Sequence, residues 1–291
     1  MGANRLDGKV CAAKVESSLS SRIRDLAERG SSPHLAVVIV GDDPASHVYV
    51  RSKERACERL GIRSTRIDLP AAASFDKVLA TVESLNQDPD VDGILVQSPL
   101  PRGMDELAIT DHILPEKDVD GFHPVNLGRL VQGRLDGLLP CTPAGVMYLL
   151  KFAELDLTGL KAVVLGRSRI VGMPMALLLA AKGADATVTV VHSRTTDIES
   201  HCRGADLIVA AVGRPEMVKA AWVKTGAIIV DVGINRVEDS SVKGYRLCGD
   251  VEEDANSVAS YMTPVPGGVG PMTIAMLMSN TVRAAEMRKT S

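Results

Sequence analysis

The stretch Val163–Pro174, VVLGRSRIVGMP, decides how the second half of the chain reads. An apolar run stops at Gly166, a short loop carries Arg167 and Arg169, and Gly172 opens a segment of helical character. Strand, glycine turn and helix in that order aim backbone N–H groups at whatever lies before the helix N-terminus, and such groups favour an anion. Gly166 permits the tight turn and Gly172 the close approach of a phosphate. Pro174 fits the first helical turn, where its missing N–H costs nothing. The glycine spacing is not G-x-G-x-x-G, so the loop alone does not name its ligand.

The following apolar run narrows the choice. A dinucleotide site built for NAD carries an acidic residue about 20 residues on, which holds the ribose 2′-hydroxyl. Here the run TVTVVHSRT ends in His192, Ser193, Arg194 and Thr195, with no acid. A 2′-phosphate would meet no repulsion there. Arg194 offers it a planar fork of donors, Ser193 adds a hydroxyl, and Arg167 and Ser168 lie in the preceding loop. The positive charge is explained if the cofactor is NADP. His192 reads either as a phosphate neighbour or as a packed residue at the strand end.

Outward from this point the pattern alternates. KAVVLG, ATVTVVHS, ADLIVAAVG and AIIVDVGIN read as buried strands separated by helices, the first being MPMALLLAAKG, and YRLCGDV reads as an added edge strand. The first half does the same. A helix from about Lys9 to Arg29 precedes the strand HLAVVIVG; then come a helix from about Ala45 to Leu60, the strand STRIDL, the helix FDKVLATVESLNQ and the apolar run VDGILVQSPLP. Short apolar runs between helices imply a parallel sheet covered on both faces. The fold class is α/β in two domains. A Gly- and Pro-rich stretch places the boundary near Pro140, with one α/β domain before it and a Rossmann-like domain after it, and a glycine loop feeds a last helix. The methionines of that last helix read as core.

Composition closes off other classes. The 291 residues carry a formal net charge of −3, which gives no electrostatic case for nucleic acid or an anionic membrane. No apolar run approaches the ~20 residues that span a bilayer. Cys11, Cys57, Cys141, Cys202 and Cys248 are scattered, form no C-x-x-C pair and share no zinc spacing with histidine. They read as free thiols of a reducing compartment, and no metal site is expected.

Chemistry in the first half centres on SHVYVRSKERACERLGI, where Tyr49 and Lys53 stand four apart on one helix face. Such pairs are routine on solvated helices. This helix, however, starts just beyond the end of HLAVVIVG, and ligands of parallel sheets bind beyond the carboxyl ends of strands. Gln97 and Ser98 end another strand at the same side, and an amide there could orient the lysine. A lysine in a partly dry cleft transfers protons near neutrality. In KDVDG, Asp118 and Asp120 serve either an Asp-Gly turn or a ring with several N–H groups.

Taken in order, YVRSKERACERLGI, VDGILVQSPLP, PEKDVDGFHPVNLGRL, PCTPAGV, GRSRIVGMP, HSRT, VDVGIN, GDV and TPVPGGVGPMT span nearly the whole chain. Together they resemble the bifunctional methylenetetrahydrofolate dehydrogenase/methenyltetrahydrofolate cyclohydrolase family, TPVPGGVGPMT and PEKDVDG most specifically. The resemblance implies NADP-dependent oxidation of 5,10-methylenetetrahydrofolate to the methenyl cation, then hydrolysis to 10-formyltetrahydrofolate. By that resemblance Lys53 shuttles the proton, Tyr49 lines the folate ring, Gln97 tunes the lysine and Asp120 binds the pterin edge. Pro266, Gly267 and Gly268 form a loop passing close to the folate. Gly166, Arg167, Ser168, Val171, Gly172, Ser193, Arg194 and Ile234 take the cofactor. The family also implies a catalytic, folate-binding domain over 1–139 completed by a C-terminal helix over 270–291, a Rossmann-like NADP-binding domain over 140–269, a V between them with the active site in the cleft, tetrahydrofolate derivatives as partners, a homodimer through the nucleotide domain and a cytoplasmic location. A short-chain dehydrogenase would share Tyr-x-x-x-Lys, but there the glycine loop precedes the pair; a non-catalytic nucleotide sensor would have little use for Tyr49, Lys53 and Gln97.

Overall fold

The structure, a computed structural model, describes residues 2–240 and 244–290. Its elements run β1 (Asn4–Arg5), α1 (Gly8–Glu28), β2 (His34–Val40), α2 (Pro44–Leu60), β3 (Arg63–Leu69), α3 (Phe75–Gln87), β4 (Gly93–Val96), α4 (Glu106–His112), α5 (Pro124–Val131) and α6 (Cys141–Phe152). They continue with β5 (Lys161–Leu165), α7 (Gly172–Ala180), β6 (Thr187–Val191), α8 (Ile198–Arg203), β7 (Leu207–Ala210), β8 (Ile228–Asp231), β9 (Asn235–Glu238), β10 (Tyr245–Cys248), β11 (Tyr261–Met262) and α9 (Val269–Thr290). The chain divides into two compact units: one is residues 13–141 with 274–291, the other residues 1–12 with 142–273.

In the unit holding residues 13–141 the sheet is parallel in the order β3-β2-β4. All seven residues of β2 are buried, as befits an unbroken apolar run in the central strand, whereas β3 at the edge has no buried residue. Alternate residues of β2 share a face: Ala36, Val38 and Val40 join Val78, Val82, Ile94 and Ile109 in one core. Leaving β2, Asp43 caps α2 by accepting the Ser46 N–H at 2.8 Å, and Pro44 occupies the first turn. The helix stops at Gly61, whose left-handed φ of 72° lets Ile62 N–H reach Cys57 O and Gly61 N–H reach Glu58 O. Beyond β4 the segment from Lys117 runs parallel beside it, Ile94 N–H donating to Lys117 O at 2.8 Å and Ile94 facing Asp118. The α9 residues from Ile274 on belong to this unit and are core, with Met278 fully buried and its Sδ accepting from Cys57 Sγ at 3.5 Å.

The other unit is built on a six-stranded parallel sheet, β1-β11-β8-β7-β5-β6. Its core gathers Val163, Leu165, Val191, Ile208, Ala210 and Ile229. Two differences from expectation lie here. YRLCGDV does not extend this sheet. Its β10 residues pair antiparallel with β9 in a separate two-stranded ribbon, because β9 follows the sheet strand β8 after a glycine turn and offers the nearer edge. The first dozen residues group with this unit and not with residues 13–141, because Asn4 and Arg5 pair with Tyr261 and Met262. All five cysteines are free and buried. Among the described residues no helix is long and apolar enough to cross a membrane.

One turn constrains the first unit tightly. Gly121 has φ of 77°, and a Cβ there would sit 2.4 Å from the Leu139 carbonyl carbon. Replacing Gly121 by Ala combines left-handed strain with overpacking and should lower the unfolding free energy by about 2–5 kcal/mol. The urea midpoint measures this, and a midpoint matching the unsubstituted protein would show that the Leu139 backbone yields freely.

Candidate active site

In the sheet β3-β2-β4, β2 connects through α2 to one neighbour, and the chain then crosses to the other side for β4. The carboxyl ends of β2 and β4 are therefore the switch point where parallel sheets leave a crevice. The expected residues meet at this point. Tyr49 and Lys53 lie on α2, which leaves β2, and Gln97 directly follows β4, its N–H held by Val38 O at 2.8 Å. Lys53 Nζ donates to Gln97 Oε1 at 2.9 Å. The Gln97 amide cannot turn freely, since its Nε2 donates to Ser98 O at 2.6 Å. Tyr49, one helical turn before the lysine, is 45% exposed and opens to solvent.

The two aspartates of KDVDG have different surroundings. Asp118 makes the turn: it is buried and accepts from Gly121 N–H at 3.1 Å, His123 N–H at 2.7 Å and Asn126 Nδ2 at 2.9 Å. Asp120 stands beside Lys53. Burial pushes its carboxyl up to about 6, against the pull of the Lys53 ammonium. Burial likewise lowers the basicity of Lys53, and the Asp120 charge opposes that shift. Lys53 keeps part of its surface open while protein encloses it on most sides, which is the setting of an amine poised to exchange a proton.

Two further residues join this cluster without having been singled out from the sequence. Cys141, taken above as one more free thiol, sits against Lys53 and Asp120; burial pushes its thiol well up, and Sγ donates to Val119 O at 3.2 Å. Asn280 of α9 donates from Nδ2 to Val119 O at 2.8 Å and Leu139 O at 2.9 Å, tying the segments on either side of Asp120 and Cys141. The PCTPAG run was the available cue for Cys141; Asn280 lies 139 positions from Cys141 and offers none.

The second set of expected residues lies in the other unit. Gly166 has φ of 110° and its N–H meets Val191 O at 2.8 Å. A Cβ on Gly172 would come within 2.3 Å of Gly166 O, so the loop folds back on itself with glycine at the point of contact. Ser168 Oγ accepts from Val171 N–H at 3.2 Å and Gly172 N–H at 3.3 Å. Strands β5 and β6 are neighbours, Leu165 facing Val191, so the 166–171 loop and the 192–195 turn leave the sheet side by side. Arg167, Ser168, Ser193 and Arg194 are all exposed there. His192 is half-buried and shapes the turn, its Nδ1 accepting the Arg194 N–H at 3.2 Å. A glycine cradle that a Cβ would fill, flanked by arginine and serine without a carboxylate, fits a dinucleotide bearing a 2′-phosphate. Ile234, after β8, is 42% exposed. Pro266, Gly267 and Gly268 belong to this unit also, Gly8 N–H meeting Gly267 O at 3.1 Å.

The family model described as the tetrahydrofolate dehydrogenase/cyclohydrolase catalytic domain matches residues 6–120, and that of its NAD(P)-binding domain matches residues 140–289. The chain belongs to the tetrahydrofolate dehydrogenase/cyclohydrolase family. It is 52% identical to the bifunctional protein FolD of Campylobacter curvus, covering 97% of this chain and 96% of that one. Its fold is similar to the FolD crystal structure from Campylobacter jejuni, with a TM-score of 0.93, 47% identity and coverage of 98% and 99% of the two chains. It is equally similar to FolD of Trypanosoma brucei complexed with NADP cofactor and inhibitor, with a TM-score of 0.94, 40% identity and full coverage of both. Two α/β units, one catalytic and one NAD(P)-binding, are thus the family's arrangement in this chain.

The raised Asp120 carboxyl has a measurable consequence. A group that holds its proton more tightly when folded contributes full stability below the ordinary carboxylate range and loses that contribution as pH rises through about 6. Asp120→Asn removes the dependence. Denaturant titrations from about pH 4 to about pH 7 should show the variant gaining on the parent protein as pH rises. A constant gap would mean that Asp120 is not held in a raised state.

Proposed function

We propose that this chain is a bifunctional enzyme of tetrahydrofolate one-carbon metabolism, oxidising 5,10-methylenetetrahydrofolate with NADP and hydrolysing the resulting 5,10-methenyl cation to 10-formyltetrahydrofolate. The observation that carries this reading is the Lys53 Nζ–Gln97 Oε1 hydrogen bond at the β2/β4 switch point, beside Asp120. Its low basicity lets Lys53 take a proton from the water that adds to the methenyl carbon, and the resulting ammonium returns a proton to the ring nitrogen as the C–N bond opens. Gln97 Oε1 holds the ammonium form in place through both transfers. The Asp120 carboxyl accepts from the N–H edge of the pterin, and Tyr49, open to solvent one turn from Lys53, packs along the ring. Pro266, Gly267 and Gly268 give the folate a backbone surface without bulky side chains.

In the NAD(P)-binding unit, Gly166, Val171 and Gly172 take the pyrophosphate. Arg167, Ser168, Ser193 and Arg194 take the 2′-phosphate, and Ile234 the nicotinamide side. NADP, when bound, supplies the hydride acceptor for the first reaction. The family supports a homodimer in the cytoplasm, and the net charge of −3 supports no nucleic-acid or membrane partner.

Spectrophotometry with methylenetetrahydrofolate, comparing NADP with NAD and following decay of the methenyl product, tests the reading; no NADP reduction would end it. Lys53→Met should abolish methenyl hydrolysis, and full retained hydrolysis would remove Lys53 from the proton path. Arg194→Ala removes a charge-assisted contact worth about 1.5–3 kcal/mol. The NADP Michaelis constant should therefore rise at least tenfold while that for NAD hardly moves. An unchanged NADP/NAD ratio would place the 2′-phosphate elsewhere.

A further inference from the structure

Two aspartates of the NAD(P)-binding unit are almost wholly buried, yet among the described residues neither has a basic hydrogen-bond partner. Asp250 is 0% and Asp231 2% exposed. Asp250 Oδ2 accepts from Val212 N–H at 2.7 Å and Gly213 N–H at 2.9 Å; its Oδ1 accepts from Arg214 N–H at 2.9 Å and Asn235 Nδ2 at 2.9 Å. Asp231 Oδ1 accepts from Gly233 N–H and Asp250 N–H, each at 2.9 Å, and Oδ2 from Val251 N–H at 2.8 Å. Asp231 holds Asp250, and Asp250 gathers the segments that follow β7 and β8. The fit is close on both sides. A Cβ on Gly233 would stand 2.3 Å from Asp250 Oδ1, and one on Gly249 would stand 1.8 Å from Asp231 Oδ2.

The place of these segments gives the pair its meaning. In the sheet the order β6-β5-β7-β8 is continuous. The 2′-phosphate residues follow β6 and the pyrophosphate loop follows β5. A Cβ on Gly166 would stand 2.3 Å from Ala211 O, so that loop abuts the segment after β7. A dinucleotide laid over carboxyl strand ends in this direction continues past β7 and β8, where residues 211–214 and 232–235 meet it. Asp250 draws inward the N–H groups of Val212, Gly213 and Arg214 and the side-chain amide of Asn235, Asp231 holds the Gly233 N–H, and exposed Ile234 lies between Gly233 and Asn235. We propose that Asp250 is a positioning residue for the nicotinamide half of the cofactor: it fixes the wall formed by residues 212–214 and 233–235, and Asp231 fixes Asp250 in turn. This inference rests on the NADP site proposed above.

The two halves of the cofactor separate this role from general support of the fold. Asp250→Asn places an amide N–H₂ against backbone donors that need an acceptor, so the wall must shift. Calorimetry with NADP and with 2′,5′-ADP, which carries the 2′-phosphoadenosine end alone, reads the effect. Asp250→Asn should weaken NADP by about tenfold or more and leave 2′,5′-ADP within about twofold. Gly233→Ala, which presses on the same carboxylate without changing a charge, should give the same split. Equal loss of both ligands would reduce Asp250 to a support of the whole unit and overturn the proposal, as would an unchanged NADP affinity. A parent protein with no affinity for 2′,5′-ADP would instead overturn the 2′-phosphate assignment on which the proposal stands.

Discussion

A parallel strand whose two neighbours are reached by crossovers in opposite directions leaves an opening at its carboxyl end, because the two connecting segments diverge there. Both parallel sheets among the described residues have one such strand, β2 in β3-β2-β4 and β5 between β6 and β7. Everything chemical in the molecule is hung on those two openings. At β2 the opening receives a lysine from the departing helix, an amide from the end of β4 and a carboxylate from the segment beside β4. At β5 it receives a glycine loop and, from β6, an arginine and a serine. The sheet hydrogen bonds fix the spacing of these groups before any side-chain contact is made, which is why short loops suffice to carry them.

The two openings are tuned differently. Around Lys53 the dominant effect is desolvation: it lowers the lysine, raises Asp120 and raises the Cys141 thiol, while the charges of Lys53 and Asp120 pull against each of the first two shifts. Such a cluster carries little net charge near neutrality and exchanges protons easily. Arg194 and Ser193 are exposed, and under the proposed function their contribution is selective attraction for a phosphate that NAD lacks.

Much of this is legible in the residues. β2, β5 and β7 declare themselves as unbroken apolar runs, and α2 by its Asp-Pro start and Gly61 stop. Tyr49, Lys53 and Gln97 could be brought to one sheet end by counting from strand termini. Other parts leave no trace at the scale of a local pattern. β1 and β11 are two residues long, too short for a period to register. Helix α5 and the start of α6 fall in a stretch whose glycines and prolines read as connection, and α5 is capped by His123, a residue type with no strong capping preference. β10 pairs with β9 and not with the sheet, a choice set by which edge is nearest. Asp231, Asp250, Asn280 and Cys141 act mostly through contacts between residues 15 to 161 positions apart, and no spacing rule reaches that far.

The pairing of β1 with β11 has a bearing on how the protein is made. One unit needs residues 1–12 together with 142–273, and the other needs 13–141 together with 274–291. No single cut yields two self-sufficient pieces. A chain growing on a ribosome holds its first strand unpaired until Tyr261 and Met262 have emerged, and the earlier catalytic unit waits longer still, for the helix turns beyond Ile274. Both units therefore wait for segments far along the chain from their first residues, and domain-by-domain folding in chain order is denied to this topology.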